Sequence, residues 1–459
     1  MRLIVLASTF LILLGAVAFA EPRAGDEFGE RVRDVLVREM WFMATVAELS
    51  PQETEALTLE AQRALDRWGA RIESTSLGAS LRRELTPLLK SISRQGWEKY
   101  DAERERLEER RAHATIVAQV AEYDEALLFT SEQRDKLCAE LAEAARGIGW
   151  QTRVTGPPLI PARRFPPEIS AGGLGRFEPA ESRLAVVLTP GQLAAYKQFS
   201  HAIGQQIIVA APGAQQAAAA VRPKFDDQHP RLKLLLERFV DAADAVCNLD
   251  DLQRQKLLIA GQIDIDQLRE RYGAIESQEG DDPIRCVARL GALTDAARTM
   301  FDDPASKFPR TLRSRLTDEQ KAKLAVAERE RHAFRCQALV QAVVVGFERS
   351  AALTSAQCAE LERTFDEAVA DCPMSPQWQI PWLRTMTGLP HEKLRPILAD
   401  QQWPAFERQL AQLKEVARRL EEEFEKKVGA LRGVKIMAVD KDGKAVAELR
   451  ADEIRLNLD

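Results

Sequence analysis

The chain is short of aromatic residues, of histidine and of closely spaced cysteine, and each shortage excludes something. Aromatics make up 6% of the 459 residues, with only 4 tyrosines. The side chains that build a β-sandwich or barrel are therefore scarce, while Ala, Leu, Glu, Arg and Gln abound and favour helices. Basic residues (64) do not outnumber acidic ones (70), and a formal charge of −6 leaves no footprint for nucleic acid. The five histidines, His113, His201, His229, His332 and His391, are scattered. The six cysteines, Cys138, Cys247, Cys286, Cys336, Cys358 and Cys372, form no C-x-x-C, and the nearest two are fourteen residues apart. Zinc ligands usually come at least partly in close pairs, so neither a metal nor another cofactor is expected. No nucleophile elbow, P-loop or dinucleotide fingerprint occurs. His391-Glu392 has no second His four residues after the first. After residue 20, no apolar run approaches the roughly 18 residues that would cross a bilayer.

What is present begins with the first twenty residues. Arg2 supplies a positive start, Leu3 to Ala18 is almost wholly apolar, and Ala18-Phe19-Ala20 is a small-x-small cleavage site before Glu21-Pro22. That order predicts a secretory signal peptide cleaved after Ala20, hence a periplasmic or secreted protein with no integral membrane segment once processed. Loss of Arg2 leaves 63 basic against 70 acidic residues, a charge of −7. With 45% hydrophobic residues the chain has material for a core, and its length is that of about three domains at ~150 residues each.

One short pattern recurs. A large apolar residue is followed by Thr, Ser or Asp, two variable residues, Gln, and another apolar residue four further on. It runs from Phe129 (Thr130, Gln133), Leu188 (Thr189, Gln192), Leu249 (Asp250, Gln253), Leu316 (Thr317, Gln320) and Leu353 (Thr354, Gln357). Looser relatives are Leu49-Ser-Pro-Gln-Glu53, Ile92-Ser-Arg-Gln95 and Leu398-Ala-Asp-Gln401. The spacing is that of a capping box, in which the first side chain accepts from a free amide of the opening turn and the Gln or Glu reaches back to the cap's own amide. Pro51 and Pro190 fall at the first helical position, where a missing N–H costs nothing. Each copy is thus read as a helix start worth about 1 kcal/mol.

Two intervals between copies, Ile92 to Phe129 and Leu316 to Leu353, are both 37 residues, and residues 92–145 align with 316–369 at a constant offset of 224. We read a duplicated unit in which a long helix turns tightly into a second, antiparallel one. The runs Glu103 to Arg106, Glu108 to Arg111 and Glu328 to Arg331 read as solvated faces laced with i,i+4 ion pairs. From Pro404 to Lys427, Leu410, Leu413, Ala417, Leu420 and Phe424 form an apolar helical stripe. Residues 156–181 and 211–230, rich in Gly and Pro, read as linkers, and Pro373 to Pro396 as a segment wrapped over a helix surface. Val434 to Val439 and Lys444 to Leu449 flank Asp442-Gly443, a hairpin signal.

The expected architecture is therefore all-α, with antiparallel helical hairpins and a small C-terminal β-hairpin. A helical domain covers 21–150, a linker 151–181, a helical region 182–300 interrupted at 211–230, a second helical domain 310–432, and the hairpin tail 433–459. Cys336 and Cys372 lie 14 and 17 residues from the turn between the helices expected to end near Ser350 and begin near Ser355, about 21 and 26 Å at ~1.5 Å per residue. A disulfide between them is feasible, while two reduced thiols remain the other reading.

The Leu-Thr-x-x-Gln copies at Leu188, Leu316 and Leu353 resemble the motif of the LTxxQ family of bacterial periplasmic stress proteins. That resemblance implies an all-helical chaperone or stress regulator with a cradle-like surface. Val246 to Leu257, continuing through Ala260 to Ile265, resembles repeats in uncharacterised secreted proteins of Planctomycetes. Two functions follow. The first is an exported non-catalytic helical protein that binds other proteins or envelope components, chaperone-like in action. The alternative is an enzyme whose site is assembled from dispersed His, Cys and acidic residues.

Overall fold

The computed structural model describes residues 27–68, 77–148, 181–193, 225–278, 300–301, 306–370, 372, 379–432, 435–439 and 445–450. The fold is all-α. In chain order the helices are α1 (Glu27–Val46), α2 (Pro51–Trp68), α3 (Leu77–Ile92), α4 (Arg94–Leu127), α5 (Ser131–Ile148) and α6 (Glu181–Val187). They continue as α7 (Phe225–Cys247), α8 (Asp251–Gln278), α9 (Lys307–Arg315), α10 (Asp318–Ala351), α11 (Ser355–Val369), α12 (Gln379–Thr387), α13 (His391–Leu394) and α14 (Trp403–Arg432). None of them is long and apolar enough to cross a membrane.

The two 34-residue helices α4 and α10 pack antiparallel along each other and form the axis of the molecule. Small side chains make the close approach possible midway, where Val117 and Ala121 meet Ala338. Around one end of this axis lies the main core, in which Leu36, Met40 and Leu85 join Phe347, Phe365, Trp382 and Phe406. Phe347 stacks on Phe406 at 4.2 Å between ring centroids. A second core gathers Val120, Leu137, Leu141 and Leu184 from α4, α5 and α6. A third joins Leu236, Val240, Leu257, Ile265 and Phe308 from α7, α8 and α9. Gly261 is what lets α8 come so close to α7, since a Cβ there would sit 2.1 Å from a methyl of Leu236.

Several expectations change against this picture. The regions 21–150 and 310–432, divided by the sequence reading, share the main core and are not separate bodies. Helix α7 starts at Phe225, so it takes in the end of the supposed 211–230 linker and carries Pro230 within it. The Pro373–Pro396 stretch holds two helices, and its Trp382 is fully buried rather than draped over a surface. The charge run of α4 is not a plain solvated face. Glu103, 6% exposed, accepts from Ser355 N–H at 2.5 Å and from its hydroxyl at 2.9 Å, and Arg110 pairs with Glu362. Three local readings agree with the structure. Leu410, Leu413 and Ala417 are buried, α10 ends at Ala351, and α11 begins at Ser355. The linker 156–180 and Phe424's side chain lie outside what is described.

Each of four turns contains a residue in the left-handed region. Glu48, Leu128, Asn248 and Ala352 have φ of 52°, 54°, 50° and 52°, each directly before the apolar residue that opens a motif copy. For residues with a Cβ that conformation costs about 1–2 kcal/mol. Glu48 is the cleanest place to test it, because its side chain is mostly exposed and bonds only Lys99 at the surface. Glu48→Gly should raise stability by roughly 0.5–1 kcal/mol, read as a higher denaturation midpoint. A lower midpoint would show that these turns are not strained.

Candidate functional site

A helix opens with four backbone N–H groups that have no partner within it. At Thr317 and Thr354 both arms of the capping box form. Thr130 with Gln133, Thr189 with Gln192 and Asp250 with Gln253 close in the same way, at 2.7–3.3 Å. In each copy the glutamine's Oε1 is occupied by the cap's amide, which leaves its Nε2 free to point across the molecule.

Those second arms join the copies in pairs. Gln133 Nε2 donates to Gln192 Oε1 at 2.8 Å and to the Val187 carbonyl at 3.1 Å, while Gln192 Nε2 donates back to Gln133 Oε1 at 3.3 Å and to the Leu127 carbonyl at 3.0 Å. Gln253 and Gln320 do the same, with Arg315 and Cys247 as the carbonyl partners. Gln357 pairs with Gln402, their Nε2 groups also reaching the carbonyls of Ile397 and Ala352 at 2.9 Å. Each pair thus satisfies the start of two helices and the end of the segment before each.

The third pair corrects one reading. In the looser copy at Leu398 the working amide is Gln402 and not Gln401, because Ala399 N–H is the cap amide and donates to Gln402 Oε1 at 2.9 Å. The copy at Ile92 differs too. Ser93 caps α4 by accepting from Gly96 N–H at 3.1 Å, so the position that elsewhere holds glutamine is a glycine. A Cβ at Gly96 would lie 2.8 Å from the Ala47 carbonyl. Backbone contact therefore replaces the amide bridge between this copy and the Ser50–Glu53 box.

Charged residues flank the motif in a pattern that the capping-box search missed. Five residues before the opening apolar residue, Asp124 and Asp244 accept from Phe129 and Leu249 N–H through Oδ1. One residue after the glutamine, Arg134 and Arg254 face the same aspartates. An Asp–Arg separation of ten residues around the motif is the signal that could have found them. The third copy breaks the pattern. Glu348 takes the acidic place but Cys358 the basic one, and Arg111 of α4 supplies the guanidinium instead, at 2.6 and 2.5 Å. Burial pushes the Cys358 thiol up, and Glu348 adds to the effect. At the offset of 224, Arg111 corresponds to Arg335 and Asp124 to Glu348. Arg335 accordingly faces Asp124, 3.6 Å away, as Arg111 faces Glu348.

Among the described residues the remaining candidates do not gather into a catalytic centre. Cys336 and Cys372 are free thiols that pack in the same core. Cys336 Sγ lies 3.5 Å from His332 Nε2, and Cys372 Sγ lies 3.6 Å from Thr385 Oγ1. Desolvation, helped by the nearby Cys372, pushes the Cys336 thiol up to about 12. His113 is exposed on α4, away from His332. His201 and Cys286 lie outside the described residues. Among those residues, no group of three His, Cys, Asp or Glu could hold a metal ion. Compared with known proteins, the chain matches no family model, no curated protein and no solved structure.

The two halves of the motif should differ in weight. Thr317→Ala and Thr354→Ala remove one cap bond and should cost roughly 0.5–2 kcal/mol. Gln402→Leu strands the half-buried Ala352 carbonyl and the Ala399 amide together, and should cost about 2–4 kcal/mol. Chemical denaturation of the three variants checks the ranking. Equal losses would mean that the cross-links between motif copies add nothing.

Proposed function

We propose that the protein is an exported, non-catalytic helical protein that binds other proteins or envelope components, chaperone-like in action. The observation that carries this reading is a line of large apolar side chains left in solvent on α8. Leu252, Ile259 and Ile263 are 57%, 54% and 41% exposed and fall at i, i+7 and i+11, which puts them on one face. An exposed apolar stripe on an otherwise charged helix is a feature of interaction surfaces. The motif residues are engaged in helix starts, which leaves them structural. The resemblance to the LTxxQ stress proteins agrees with this reading and with export through the segment Met1 to Ala20, which lies outside the described residues.

The same proposal includes an internal duplication. Helices α4 and α10 have equal length, and Arg111–Glu348 and Arg335–Asp124 are the same contact made twice with the halves exchanged. It also includes the C-terminal hairpin, supported by antiparallel pairing of Lys435–Val439 with Ala445–Arg450, Ile436 opposite Leu449.

Two measurements test the proposal. In a client-aggregation assay, Ile259→Asp with Ile263→Asp should reduce protection several-fold without moving the melting transition, whereas Thr317→Ala should melt earlier and protect normally. Unchanged protection by the double variant would remove the stripe as the binding face. Mass spectrometry of the exported protein without reduction should find Glu21 at the N-terminus and Cys336 and Cys372 as free thiols. Finding Met1 retained would make the first segment an anchor, and finding the two cysteines linked would restore the bridge.

A further inference from the structure

One region sets three guanidinium groups against a single buried carboxylate. Asp124 is fully buried, and beyond the bond from Phe129 to its Oδ1 its Oδ2 has no hydrogen bond. Three guanidinium groups, those of Arg134, Arg331 and Arg335, converge on that oxygen at 3.6–3.7 Å. The Nε atoms of Arg331 and Arg335 are buried and make no hydrogen bond beyond that ion pairing. At the corresponding place in the other half, Glu348 meets Arg111, because Leu107 and Cys358 stand where Arg331 and Arg134 stand here. One carboxylate there has one close guanidinium, and one carboxylate here has three.

A cavity of about 480 Å³ opens against this cluster, between the start of α5, the end of α7 and the first turns of α10. Phe129, Val246, Ala322 and Val326 give it apolar walls. Arg134, only 4% exposed, is its deepest charged side chain and belongs to the arginine cluster behind it. Arg134 Nη1 donates to the Phe129 carbonyl at 3.2 Å, and its guanidinium lies over the Phe334 ring, 5.3 Å from the centroid. The other carboxylates stand farther out, where Glu328 acts on Arg331 from the exposed side of the same helix. Lys323 and Glu319 are exposed and bonded to each other at 2.8 Å, and Glu330 is exposed at the rim. Thr130 and Ser131 also bring the N-terminus of the 18-residue α5 to the wall, adding the positive end of its dipole.

We propose that this cavity binds a carboxylate carried on an apolar chain, with the carboxylate at Arg134 and the chain along Phe129, Val246 and Val326. The size is that of a small-molecule or peptide-end site. A bare inorganic anion would leave the apolar walls wet, and a neutral apolar ligand would bring the arginine cluster no second carboxylate. Fatty acids and the free C-terminus of an apolar peptide share this chemistry. The inference does not depend on the α8 stripe or on client binding, because ligand binding is measured directly.

The test is calorimetric titration of the full mature chain with octanoate against octanamide, and with an N-acetylated apolar tripeptide against its C-terminal amide. At least one of the two carboxylates should bind tenfold or more tightly than its neutral counterpart, and the better one names the source. Val326→Asp and Ala322→Trp alter exposed positions, so both should melt like the parent while losing that binding at least tenfold. Arg134→Gln should lose it as well, but it also touches a buried ion pair and is read only where the variant folds. The proposal is overturned if neither carboxylate saturates the protein, if the neutral analogues bind as tightly, or if the two surface variants bind like the parent.

Discussion

The structure depends on a side-chain amide that is used twice. Glutamine at the third position of a helix closes the capping box with its oxygen and still has two N–H donors to place. In Gln133–Gln192, Gln253–Gln320 and Gln357–Gln402 those donors reach a second glutamine and a carbonyl of the facing segment. A helix start is ordinarily a local matter, worth about 1 kcal/mol. Here it becomes a tertiary contact that fixes where the next helix pair must sit. The pairs are separated by 59, 67 and 45 residues, so the geometry is conserved within the chain although the intervening segments are not.

The long antiparallel pair α4 and α10 supplies the second constraint. Buried ion pairs are weak evidence of stability, because desolvation offsets much of their attraction, but breaking one strands a charge. Arg111–Glu348 and Asp124 with its arginines therefore hold the register of the two helices more than they hold them together. Adhesion comes from the cores on either side, the larger of which draws on both ends of the chain.

The strained turn at Leu128 lies beside the cavity. Leu128 in the left-handed region precedes Phe129, whose carbonyl accepts from Arg134 and which borders the cavity. The turn that aims Phe129 thus also places the arginine, and the nearest exposed apolar surface is Val326 on α10, at the cavity's edge.

The sequence by itself determined the helical class, the helix starts at the motif copies and the turn between α10 and α11. All of these rest on interactions within four residues along the chain, where spacing is geometry. It also held the offset of 224 that relates Arg111 to Arg335 and Asp124 to Glu348. Only the tertiary structure decided that Gln133 faces Gln192, that Gln402 rather than Gln401 closes the third pair, and that Glu103 serves Ser355 instead of solvent. A charged or amide side chain reads alike whether it meets water or a partner 250 residues away. What separates the two cases is which helix lies opposite, and that follows from packing rather than from any local pattern.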